Sequence, residues 1–89
     1  MIRYSIIANG RVQGVGFRFF CKMNAINLNL TGFARNLYNG DVEIEVQGEK
    51  ENIDIFISKI REGNRFINVS NLTISKINLI ESEKGFATK

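Results

Sequence analysis

Between positions 10 and 18 the chain runs Gly10-Arg11-Val12-Gln13-Gly14-Val15-Gly16-Phe17-Arg18. Gly14 and Gly16 tolerate positive φ and carry no side chain, so successive main-chain N–H groups can turn into one concavity that suits an anion. A helix beginning at about Phe17 adds its own unpaired N–H groups and the positive end of its dipole, both favourable to phosphate or sulfate. Arg18, in the first turn, offers a planar fork of donors and a permanent charge to two phosphate oxygens. The stretch fits neither common nucleotide template: it lacks the Gly-Lys-Ser/Thr of a Walker A loop, and Phe19 stands where a GxGxxG motif needs glycine. Two readings stay open on these residues, an anion nest or a glycine-rich connector whose arginine faces water. A second group, Gly32-Phe33-Ala34-Arg35-Asn36, ends in a carboxamide that can donate to and accept from a single water. The other reading of Asn36 is that it begins the turn completed by Asn39-Gly40.

Such residues act together only if a scaffold places them together. Ile2 to Val12 is rich in β-branched and aromatic residues and is predicted as a strand. Phe17, Phe20, Cys21, Ala25 and Leu28 have the three-and-four spacing of an amphipathic helix ending near Asn27 to Asn29. Thr31 to Tyr38 and Asp41 to Gln47 flank Asn39-Gly40, a strong signal for an antiparallel hairpin. In its second strand Val42, Ile44 and Val46 alternate with Asp41, Glu43, Glu45 and Gln47, so one face is buried and the other wet and acidic. A second helix is predicted over Lys50 to Glu62, with Ile53, Phe56, Ile57 and Ile60 on one face and Gly63-Asn64 as its break. The last long strand falls within Asn68 to Ile80. Its apolar phase shifts between Leu72/Ile74 and Ile77/Leu79, which predicts a bulge near Ser75-Lys76. The order is βαββαβ, the α+β ferredoxin-like sandwich, with an antiparallel sheet, two helices on one face and the other face open to solvent. That topology supports many functions, so the site must decide among them.

The 89 residues fit one domain spanning positions 1–89. With 44% hydrophobic and 24% charged residues, the composition is that of a folded chain rather than a disordered one. A core of this size leaves no room for a large internal ligand cavity. There is no His and one Cys, which excludes Ser-His-Asp and Cys-His catalysis and HExxH zinc sites. Cys21 has no disulfide partner and shares the helix face of Phe17 and Ala25, so it is read as a buried residue in a protein of the reducing cytoplasm rather than as a reactive thiol. Tyr4, Phe33 and Tyr38 are read as core or rim aromatics rather than stacking platforms. Met1 to Asn9 is too short and polar for a signal peptide, and no apolar run approaches the ~20 residues of a membrane span. The net charge of +3, from 12 Lys and Arg against 9 Asp and Glu, is spread without a basic run and does not call for nucleic acid.

Gly10-Arg11-Val12-Gln13-Gly14-Val15-Gly16-Phe17-Arg18-Phe19-Phe20, followed by Leu30-Thr31-Gly32-Phe33-Ala34-Arg35-Asn36, resembles the two signatures of the acylphosphatases. The resemblance extends to the length, the order of elements, the Asn39-Gly40 hairpin, Arg61-Glu62-Gly63 at the end of the second helix, and Phe86. It implies the ferredoxin-like sandwich, a phosphate cradle formed by the backbone of Gln13, Gly14, Val15, Gly16 and Phe17, phosphate binding by Arg18, and an attacking water oriented by Asn36. It also implies a monomer acting on a small acyl phosphate and releasing inorganic phosphate, with no metal, cofactor, nucleic acid or membrane partner. Asn64-Arg65-Phe66 replaces the family's usual prolines, and the ending Ala87-Thr88-Lys89 is unusual. These departures concern the last short edge strand and leave the loop residues untouched.

The residues can be set against the chemistry that this implies. A carboxylate leaving group has a conjugate-acid pKa of roughly 4, so it departs as an anion without a general acid, and no His is needed. The alkoxide of a phosphomonoester would want a proton donor or a metal. Phosphoryl transfer is largely positioning plus electrostatic stabilisation, the first assigned to Asn36 and the second to the loop N–H groups and Arg18. The alternatives are non-catalytic. One is a phosphate- or anion-binding module, including the acylphosphatase-like domain that opens larger hydrogenase-maturation carbamoyl transferases, from which the chain's length points away. The other is an RNA-binding sheet, which needs exposed aromatics where this chain offers Glu43 and Glu45.

Overall fold

A computed structural model describes residues Met1–Lys89. The elements are β1 (Ile2–Arg11), α1 (Phe17–Asn27), β2 (Thr31–Asn36), β3 (Val42–Gly48), α2 (Lys50–Glu62), β4 (Asn68–Ile77) and β5 (Phe86–Thr88). The predicted βαββαβ order is present, α2 has its predicted bounds, and the short strand β5 forms at the end. The strands make one five-stranded sheet in the order β4-β1-β3-β2-β5. Phe17, Cys21 and Ala25 of α1 and Ile53, Phe56 and Ile60 of α2 are buried against one face of the sheet. That face supplies Ile6 and Ala8 of β1, Ala34 of β2, and Val42, Ile44 and Val46 of β3. Each fully buried Phe, Ile or Val among these stabilises the fold by about 1.5–3 kcal/mol through loss of apolar surface from water. Phe56 also meets Phe86 with ring centroids 6.3 Å apart, which ties α2 to the last strand.

The expectation of a wholly antiparallel sheet is corrected at β5, which runs parallel to β2 with Gly32 opposite Phe86 and Ala34 opposite Thr88. The reason is topological. The pairs β1–β4, β1–β3 and β2–β3 are antiparallel, so β4 ends at the edge of the sheet where β2 begins. A chain that crosses there to the far side of β2 can only run alongside it in the same direction.

The predicted bulge near Ser75-Lys76 is also corrected. Those residues pair in regular register with Ser5 and Tyr4, and the irregularity lies at Asn9/Gly10, opposite Asn71 and Val69 with Ser70 left over. The apolar phase changes for another reason: Ile77 pairs with Arg3 on the face away from the helices.

That face is not wholly open to solvent, because residues 78–85 return across it. Arg3, only 1% exposed, donates from Nε to Glu45 (2.9 Å) and from Nη1 and Nη2 to the Glu83 carboxylate (2.8 and 3.2 Å). Gln47 bonds both the N–H and the carbonyl of Ile80 at 2.9 Å. Burial lowers the Arg3 pKa, but its bonds and charge pairing with Glu83 and Glu45 outweigh that and hold it above its ordinary value. The crossing segment thus delivers β5 to its place beside β2. Because β1, β2 and β5 point the same way, their C-terminal ends and the start of α1 gather at one end of the molecule.

Candidate active site

The connection from β1 to α1 spans Val12 to Gly16, and its two inner glycines take left-handed backbone angles, φ 74° at Gly14 and 80° at Gly16. A Cβ at either position would meet nothing within 4 Å. Conformation, not crowding, calls for glycine. Gly16 is the N-cap of α1 and no side chain caps the helix. The first main-chain bond of the helix is Phe20 N–H to the Gly16 carbonyl at 2.9 Å, so the N–H groups of Phe17, Arg18 and Phe19 find no acceptor within the chain. These are the donors expected of an anion nest.

A cleft of about 250 Å³ opens at this point, its wall made by the loop and α1 with Asn36 from β2 and Thr88 from β5. Gly14, Gly16, Phe17, Arg18 and Asn36 all line it. Gln13 and Val15 do not. Gln13 Nε2 donates instead to the carbonyls of Leu37 (2.6 Å) and Asp41 (2.8 Å), lashing the loop to the β2–β3 hairpin, and Val15 packs against the core. An adjoining groove of about 490 Å³ is lined by Gln13, Arg35, Asn36, Leu37 and Tyr38.

Arg18 Nη1 donates to the main-chain oxygen of Lys89 at 2.6 Å, and Lys89 N–H donates to the Ala34 carbonyl at 2.8 Å. The guanidinium is therefore braced through Lys89 onto β2, while no Asp or Glu side chain pairs with it. Asn36 is exposed and pairs with Val42 as the last residue of β2; the turn begins after it, with Leu37 N–H bonded to the Asp41 carbonyl at 2.8 Å. Its carboxamide makes no hydrogen bond within the chain and is free for a water or a ligand.

Four residues of the wall were not foreseen: Val12, Phe19, Lys22 and Thr88. Helical spacing from Arg18 would have found Lys22, whereas nothing in the sequence signals Thr88, which arrives through the parallel pairing of β5. Cys21 is fully buried behind the cleft, and burial pushes its thiol well above the ordinary range, which removes it as a nucleophile. Of the aromatics, Tyr4 packs on the core, Tyr38 is fully exposed, and Phe33 lies 4.2 Å from the Lys89 ammonium on the face away from the helices.

Fold and cleft together define a class: a ferredoxin-like α+β sandwich whose first β–α connection is a nest of main-chain donors backed by an arginine. The family model for acylphosphatase matches residues 4–88. An acylphosphatase of Clostridium beijerinckii is 51% identical over 89 residues, covering 100% of this chain and 99% of the relative. One from Clostridium perfringens is 49% identical over 88 residues, covering 99% of each. The crystal structure of acylphosphatase from Bacillus subtilis superposes with a TM-score of 0.94 at 34% identity, over 100% of this chain and 99% of that one. The chain belongs to the acylphosphatase family. It is accordingly a hydrolase, and these likenesses do not favour a non-catalytic anion- or RNA-binding module.

Proposed function

We propose that the cleft hydrolyses the carboxyl–phosphate bond of a small acyl phosphate, yielding a carboxylate and inorganic phosphate. The observation that carries this reading is the meeting of the unpaired loop and helix N–H groups, Arg18 and the free carboxamide of Asn36 around one cleft. The backbone from Gln13 to Phe17 holds the phosphate oxygens, and Arg18 supplies a charge that matches them in the transition state. Asn36 holds a water in line with the leaving carboxylate. Water oxygen bonds to phosphorus as the acyl oxygen departs with its electron pair, and the water proton passes to a phosphate oxygen of the substrate. The carboxylate needs no acid to leave, so the site works without His and is assigned no metal. In this reading residues 1–89 fold as one unit and act as a monomer in the cytoplasm.

The test is phosphate release from an aryl acyl phosphate and from an aryl phosphomonoester, each with chelator present. The wild type is expected to cleave the anhydride alone. Arg18→Ala should lose at least about 10²- to 10³-fold in rate, the usual effect of removing one preorganised donor. Asn36→Ala should lower kcat more than it raises KM; unchanged kcat with weaker binding would refute the water-positioning role.

A further inference from the structure

Lys22 has no part in the reaction described above, although it lines the same cleft as Arg18. The two are four residues apart on α1, so they share a helix face about one turn, or roughly 5.4 Å, apart along the axis. Phe19, three residues before Lys22, is 63% exposed and also lines the cleft. Lys22 is half-buried and pairs with no carboxylate, whereas Arg3, Arg35 and Lys50 each do. None of the nine residues around the cleft is acidic.

A half-buried cation with no ion-pair partner raises the local concentration of anions. The phosphate is already met at the helix start by the loop donors and Arg18. Lys22 stands one turn further along the wall of the same cleft, away from the unpaired N–H groups.

We infer that Phe19 and Lys22 form a subsite for the acyl group and select acyl phosphates whose acyl chain carries a second anionic group. This rests on the acyl phosphate reading above. The methylene stretch of such a chain lies against the Phe19 ring, and its terminal anion meets the Lys22 ammonium. The second charge thus lies one helical turn from the phosphate, a separation that a short dicarboxylic chain spans.

The experiment compares kcat/KM for butanoyl phosphate with that for the monoacyl phosphate of the four-carbon dicarboxylic acid, which has the same chain length and one more charge. Lys22→Met keeps the length and loses the charge. It is expected to lower the ratio of dicarboxylic to neutral substrate by about 3- to 5-fold, the scale of a partly exposed charge pair. Lys22→Glu should lower the ratio by about tenfold or more, and Lys22→Arg should restore most of it. Added salt should reduce the ratio for the wild type and leave it flat for Lys22→Met. A ratio that stays constant across the variants overturns the subsite, including the case where both substrates fall together because Lys22 serves the phosphate. Failure of the wild type to turn over either compound would overturn the acyl phosphate reading itself, and the subsite with it.

Discussion

Arg18 carries its donors in a rigid planar fork, so the fold has only the direction of that fork to settle. It does so with a single main-chain acceptor, the Lys89 oxygen, which leaves the remaining donors of the fork for a ligand. Arg18, Gly14 and Gly16 were legible in the sequence because their part depends on their own chemistry and on immediate neighbours. The side chain of Gln13 was not, since its two acceptors lie 24 and 28 positions away on a hairpin that comes near only in the folded chain. Cys21 was legible from its helical phase, and its burial leads to a direct check. A thiol reagent at pH 8 is expected to leave the native chain unlabelled over the time that it fully labels the chain in denaturant. Rapid labelling of the native protein would mean that α1 opens far more readily than its packing implies.

Among the elements, the loop and α1 act as a unit, because the left-handed turn at Gly16 sets where the first N–H groups of the helix point. Gly16→Ala meets no clash, so its effect is conformational: about 1–2 kcal/mol to hold a side-chain-bearing residue at that backbone angle. Thermal denaturation should register a loss of roughly 4 °C or more in Tm, since each kcal/mol shifts a chain of this size by about 4–8 °C. Competitive inhibition by inorganic phosphate should weaken at the same time. An unchanged inhibition constant in a destabilised variant would show that these N–H groups do not hold the anion. Helix α2 and the hairpin could be read in advance because their signals are periodic or confined to a turn. The bulge was misplaced because the phase change in β4 reflects which side of the sheet is covered, and that depends on residues 78–85 rather than on β4.

At the scale of the molecule, the charged cluster on the face away from the helices governs how the last strand is delivered. Burial pushes the Glu83 carboxyl up, but hydrogen bonds from Arg3 and Thr31 and the Arg3 charge pull it below the usual carboxylate range. A folded-state value below the unfolded one means that the stabilisation is fully present above the unfolded value of roughly 4.3 and is lost as pH falls through the folded value. Glu83→Gln should therefore cost on the order of 2–3 kcal/mol in urea denaturation at pH 7, since it leaves a buried guanidinium partly unpaired. The gap between wild type and variant should shrink as pH falls below about 4.3; a gap that stays the same from pH 7 into acid would rule out the ion pair as the cause. In the residues alone, Arg3 was one cation among many, and no pattern marked it as buried. The order of elements, the glycine loop and its arginine were all readable without coordinates, because φ preferences, helical periodicity and strand alternation act over a few neighbouring residues. The meeting of Arg18 with Thr88 and Lys89 was not. It follows from three strands running the same way within one sheet, and that pairing is set by burial of the shared core between parts of the chain as much as 71 positions apart.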